Sequence, residues 1–181
     1  MVYIALVRGI NIGPHKRMPM QKLCASCAAC GFQNPKTYIQ SGNVVFTAPK
    51  MAAKELVGRL EKQILVDFRF SAGVICRTYG ELAAIIGHNP LLHRRGVDPE
   101  KFHVGFLAQA PSPEAVKKLQ RLTLAPDLSL VKGKEVYLYF PNGHSESSLW
   151  KYSLDKILET SATIRNWRTV TALSAMAADC K

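Results

Sequence analysis

The chain has 181 residues, with 24 Lys and Arg against 13 Asp and Glu, for a formal charge of +11 at pH 7. Its 48% hydrophobic and 20% charged content matches a soluble globular protein with an ordinary core, and excludes a disordered or collagen-like chain. No apolar stretch reaches the roughly 20 residues that a membrane-spanning helix needs, so no membrane partner is expected.

Val2–Val7 is a short, β-branched apolar run that reads as a buried strand. It is too short and too lightly flanked for a signal peptide, so a cytoplasmic location is the expectation. Gly9 and Gly13 mark a loop that continues through Lys16 and Arg17. Pro19 suits the first turn of a helix, whose face carries Met20, Leu23, Cys24, Cys27 and Ala28 up to Gly31. The two runs of TYIQSGNVVF (37–46) alternate around Ser41-Gly42, a hairpin signal. Leu56, Leu60 and Ile64 give residues 51–66 a helical period, and 73–78 reads as a strand.

A helix at 79–87 and a loop with Asn89, Pro90 and His93 to Gly96 follow, after which the order repeats. Residues 101–108 form a strand, and Ser112-Pro113-Glu114 opens a helix with its N-cap and an N1 proline. Residues 128–140 make a second hairpin around Gly133, 147–159 a helix, 162–165 a short strand, and 168–178 a closing helix. The expected fold class is therefore α+β, with two ferredoxin-like β-α-β-β-α-β units in tandem and a C-terminal helix. The units are placed at residues 1–90 and 98–181, packed closely enough to count as one domain.

Several blocks of this sequence form a pattern together. ALVRGINIGPHKRMPM (5–20), TYIQSGNVVF (37–46), Asn89-Pro90-Leu91, YFPNG (139–143) and RNWRTVTAL (165–173) occur in this order. In that arrangement the chain resembles the domain of unknown function 1697 family. The resemblance implies an α+β fold with two ferredoxin-like halves and brings no activity with it. Where that family carries a basic Arg-Ser-Lys-Leu stretch after the PNG turn, this chain has Glu146-Ser147-Ser148-Leu149, two positive side chains fewer.

Charge is distributed unevenly. The first carboxylate is Glu55, so residues 1–54 contain seven Lys or Arg and no acid. Such a field attracts phosphates, on nucleic acid or on a small ligand. The loop Arg8-Gly9-Ile10-Asn11-Ile12-Gly13, continuing to His15, Lys16 and Arg17, leads from a strand to a helix start. There, free N–H groups and the helix dipole favour an anion. The string is neither G-x-G-x-x-G nor G-x-x-x-x-G-K-[ST], the two nucleotide-binding fingerprints, and both glycines also suit simple turns. Arg8, Asn11, Lys16 and Arg17 are the candidate phosphate ligands. Gln40 and Asn43 of the hairpin, whose amides also suit satisfying their own turn, and Arg168 beside Trp167 are added to them.

Cys24, Cys27 and Cys30 lack the fourth cysteine and the loop that a cluster requires, and no His stands at zinc-ligand spacing. They read as small buried hydrophobes, the five cysteines as reduced thiols, and neither metal nor cofactor is expected. The five histidines are dispersed, with no catalytic motif, so whether the chain is an enzyme stays open. Tyr3 in the first strand, and Tyr137 and Tyr139 on one face of the second hairpin, partly match the strand aromatics that stack bases in RNA-binding relatives of the fold. The leading expectation is a protein that binds a phosphate-bearing ligand, nucleic acid ahead of a free nucleotide. The rivals are a small-molecule enzyme with a pocket between the two units and a protein-interaction module with an exposed strand edge.

Overall fold

The computed structural model describes residues 1–92 and 94–180; His93 of the expected loop therefore lies outside the described residues. Val2–Val7 is strand β1, buried along its whole length, as an uninterrupted apolar run requires. Helix α1 (Met20–Ala29) and strands β2 (Gln33–Tyr38) and β3 (Asn43–Thr47) follow. Helix α2 (Ala53–Phe68), strand β4 (Val74–Thr78) and helix α3 (Tyr79–Gly87) come next. The second series is β5 (Phe102–Leu107), α4 (Pro113–Leu122), β6 (Leu128–Lys132), β7 (Glu135–Tyr139), α5 (Leu154–Leu158), β8 (Ala162–Asn166) and α6 (Trp167–Ala178). The fold is α+β: two four-stranded antiparallel sheets and, among the described residues, six α-helices. The first sheet has the order β2-β3-β1-β4 and the second β6-β7-β5-β8.

Two compact units result, Met1–Ala84 with Thr171–Lys181, and Ile85–Val170. In the first, alternate residues of the sheet (Tyr3, Ala5, Val7, Val44, Phe46, Val74) meet Leu23 and Cys27 of α1 and Leu56, Leu60 and Ile64 of α2. Each large apolar side chain buried there contributes about 1.5–3 kcal/mol. Phe46 lies nearly parallel to Phe32, with ring centroids 4.6 Å apart. In the second unit Leu107, Val136, Leu138 and Phe140 meet Ala115 and Leu119 of α4 and Ile157 and Leu158 of α5.

Local chemistry explains most boundaries. Ser112 caps α4 by accepting from Ala115 N, with Pro113 at the first helical position. Thr78 and Glu81 form a reciprocal capping box at α3: Thr78 N donates to Glu81 Oε2, and Glu81 N to Thr78 Oγ1. At α6 the cap is Asn166, whose Oδ1 accepts from Thr169 N; Thr169 itself is buried inside the first turn. The expected helix over 147–159 is divided: a 3-10 turn at Ser148–Lys151 precedes an α5 of five residues, ended by Glu159 in the left-handed conformation.

Candidate functional site

The loop after β1 is held by one side chain. Asn11, at φ +54°, donates through Nδ2 to the Met18 carbonyl (3.0 Å) and the Gln40 carbonyl (2.8 Å), while its Oδ1 accepts from Met18 N (2.8 Å). Its own N–H donates to the Lys16 carbonyl at 3.1 Å. The loop is thereby closed on itself and joined to the β2–β3 turn. That turn is anchored in its own right, because Val7 N donates to the Gly42 carbonyl at 2.8 Å.

An open depression of about 460 Å³ lies beside this junction, lined by Asn11, Gly13, Arg17, Met18, Pro19 and Gln40. It sits where α1 begins. Pro19 precedes the first turn, no side chain caps that turn, and no acid stands in it. The dipole and free N–H groups of this end are uncompensated by any carboxylate of the turn. Arg17 and Gln40 are exposed.

The seven residues expected to hold a ligand divide accordingly. Asn11, Arg17 and Gln40 line the depression together. Lys16 extends to the stretch before β4, where Nζ donates to the Ser71 carbonyl at 3.1 Å. Arg8 also lies against that stretch: its backbone N–H donates to the Gly73 carbonyl at 2.9 Å. Its Nη1 and Glu61 Oε1 stand 3.8 and 3.9 Å from where a Gly73 side chain would begin. Asn43 is fully buried, its Nδ2 donating to the Tyr38 carbonyl (3.1 Å) and Ser41 Oγ (2.8 Å), so its amide serves the hairpin and does not face solvent. Arg168 is exposed on the first turn of α6, within the second unit.

Other polar and aromatic residues that stood out in the sequence have structural roles. Tyr3, Tyr137 and Tyr139 are buried, and Tyr3 and Tyr137 donate their hydroxyls to the carbonyls of Pro49 (3.4 Å) and Ile85 (3.0 Å). Tyr139 Oη accepts from Asp98 N at 3.3 Å. None of the three offers a face for base stacking. Trp167 is likewise buried, edge-on to Phe102 at 6.3 Å. Its neighbour Arg165 donates to Thr163 Oγ1 (2.7 Å) and the Ile164 carbonyl (2.9 Å), and burial lowers its guanidinium to about 10.

Cys27 is fully buried; burial and the neighbouring thiols raise it far above the usual thiol range, and burial pushes Cys76 up to about 12. These thiols are protonated and unreactive at neutral pH. Among the described residues no group of three His, Cys, Asp or Glu is placed to hold a metal ion. No helix is long and apolar enough to cross a membrane among them.

Two contributors had no sequence signal of their own. Glu61, on α2, accepts from Val74 N at 2.8 Å and so fixes the start of β4. Asp67 accepts from the buried Ser26 hydroxyl (2.6 Å) and from Gln63 Nε2 (3.0 Å), tying α2 to α1. Periodicity marks both only as polar positions of an amphipathic helix.

The family model described as "Protein of unknown function (DUF1697)" matches residues 1–137, a span that includes the whole depression and ends before the YFPNG and RNWRTVTAL blocks. The solved structure of the conserved bacterial protein SP0830 from Streptococcus pneumoniae is similar, with a TM-score of 0.74 at 22% identity. The alignment covers 97% of this chain and 98% of that one. No curated protein matches.

Proposed function

This chain belongs to the DUF1697 family of proteins of unknown function, so its activity has to come from its own site, and we propose that the first unit binds a phosphate-bearing ligand at the start of α1. The observation that carries the reading is the depression bounded by Arg17, Gly13, Gln40 and an α1 start without acid or side-chain cap. It stands in a segment whose first carboxylate is Glu55. Arg17 supplies a charge-assisted contact, the helix start supplies N–H donors, and Gln40 supplies an amide from the same lining. Lys16 and Arg8 add to the positive field from the neighbouring stretch.

Nucleic acid is favoured over a free nucleotide, and by its backbone rather than its bases. An open depression admits a continuous strand, while the sheet tyrosines are buried and offer no stacking surface. Arg168, exposed on the first turn of α6, is read as a separate phosphate contact within the second unit. Each unit is also read as ferredoxin-like. The support is the β-α-β-β-α-β order and an antiparallel sheet in which the first and last strands of the motif are neighbours.

The test is binding of labelled single-stranded RNA and duplex DNA at low and physiological salt, with Arg17→Ala and Gln40→Ala as variants. Binding is expected to weaken steeply as salt rises, and Arg17→Ala to reduce the slope of log K against log salt by about one. Unchanged binding in Arg17→Ala moves the site elsewhere on the basic surface. No binding at low salt rules out nucleic acid and leaves inorganic phosphate and nucleotides as the ligands to titrate.

A further inference from the structure

The two units close the helix side of their sheets differently. In the first, α2 runs for sixteen residues, and its Leu56, Leu60 and Ile64 are fully buried. At the corresponding place in the second, α5 is only five residues long and is preceded by a 3-10 turn. A five-residue helix covers about 7–8 Å of sheet, against about 24 Å for sixteen. The uncovered remainder is a cavity of about 180 Å³.

Its floor is Leu138 and Phe140 from β7 and its end, with Ile164 from β8, and Leu154 and Ile157 of α5 form one wall. Leu154 approaches closely because β5 has a glycine beneath it: a Cβ on Gly105 would stand 3.1 Å from Leu154 Cδ2. Leu149, Trp150 and Tyr152 complete the lining, and Trp150 and Tyr152 remain 46% and 51% exposed, so both face the cavity and the solvent. Trp150 is braced from behind: His144 lies edge-on to it at 5.1 Å, and His103 stands 5.6 Å from His144 and 5.4 Å from Phe140.

An engineered apolar cavity of about 150 Å³ stays dry and takes benzene, because water finds no hydrogen-bond partners in it. The present cavity is of that size and likewise lined by apolar and aromatic side chains, but it opens to solvent past Trp150 and Tyr152. We propose that the second unit has a binding site for a small ligand bearing one aromatic ring, with the ring seated between Ile164, Leu154 and Phe140 and any polar substituent left at the mouth beside Trp150 and Tyr152. The site is independent of the phosphate-binding reading, since it lies wholly in the other unit.

Toluene and phenol are the probes. The chain has two tryptophans, so a Trp167→Phe variant isolates the emission of Trp150. A saturable emission change with either probe is expected, together with nuclear Overhauser contacts from the probe ring to the methyls of Leu154, Ile157 and Ile164 in the unmodified chain. Ile164→Phe, which fills the cavity, is expected to abolish both while keeping the far-UV circular dichroism spectrum. No saturable change up to the solubility limit overturns the proposal, and so do contacts to other methyls or undiminished binding in a folded Ile164→Phe. Where a variant fails to fold, the contacts measured in the unmodified chain decide alone.

Discussion

Asn11 and Met18 pair through two opposed hydrogen bonds, Asn11 Nδ2 to the Met18 carbonyl at 3.0 Å and Met18 N to Asn11 Oδ1 at 2.8 Å. The side-chain amide thus acts like a neighbouring strand, closing the six residues between them, which have no regular structure. A third bond, from the same Nδ2 to the Gln40 carbonyl, carries the constraint to the hairpin turn. The depression at the start of α1 therefore has a shape fixed by one asparagine.

Asn11→Ala removes all three bonds and leaves the partly buried Met18 backbone groups without these partners. A loss of about 1–3 kcal/mol in unfolding free energy is expected, with ligand binding at the depression weakened beyond what the stability loss explains. Asn11→Asp is the informative companion, since its carboxylate accepts from Met18 N but cannot donate to either carbonyl. Urea unfolding of both variants checks the point, and equal stability of Asn11→Ala and the parent would refute it.

Gly42→Ala is expected to destabilise by about 1–3 kcal/mol. Gly42 has φ +74°, and a Cβ there would stand 2.7 Å from Ile10 Cδ1 and 2.9 Å from Val7 Cβ. The Ile10 methyl can rotate away, but the Val7 Cβ is fixed to β1, and the Gly42 carbonyl must hold its bond to Val7 N. Gly133→Ala, with a similar φ of +61° and only Glu135 Oε2 at 3.8 Å, is expected to lose less. Thermal midpoints of the two variants, compared side by side, test whether the close approach matters.

Asp67 links α1 and α2, and the Ser26 hydroxyl and Gln63 amide hold its carboxyl below the usual carboxylate value of 3.8. A depressed acid contributes stability that is fully present above its unfolded value and is lost as pH falls through the folded one. Asp67→Asn is therefore expected to lower the urea midpoint at neutral pH and to converge with the parent in strong acid. A gap that persists unchanged at low pH would assign the effect to packing instead.

His103 titrates with the same dependence on pH for a different reason. Burial, and secondarily the nearby His144, lowers it below its ordinary 6.5. The unfolded chain then binds the proton more readily, so stability falls as pH drops below the unfolded value and levels off below the folded one. His103→Gln is expected to flatten the fall in stability that sets in as pH drops below the ordinary 6.5. The acid loss surviving in that variant would transfer the effect to another group.

The two units repeat one detail that the sequence conceals. Arg77 on β4 pairs with Ile4 of β1, and Arg165 on β8 pairs with Val104 of β5, the third residue of its strand as Ile4 is of its own. In both, Nη1 donates to the preceding carbonyl at 2.9 Å. The residue after the arginine caps the helix that follows in each unit, Thr78 before α3 and Asn166 before α6. Neither arginine is set in a run of shared residues, so only the register reveals the correspondence.

By itself the sequence determined the order of the elements. Apolar periodicity, the Ser112-Pro113 helix start and the glycines of two hairpins act over a few residues, and those distances are the ones a one-dimensional reading measures. The tertiary structure alone decided which polar side chains meet. Asn11 finds Gln40 across 29 positions and Lys16 finds Ser71 across 55. Asn43, three residues from the exposed Gln40, is drawn fully into the interior. The cavity of the second unit arises in the same way: residues 147–159 carry enough helical pattern to suggest one helix, but the folded chain divides them, and the sheet beneath keeps the space that a longer helix would have filled.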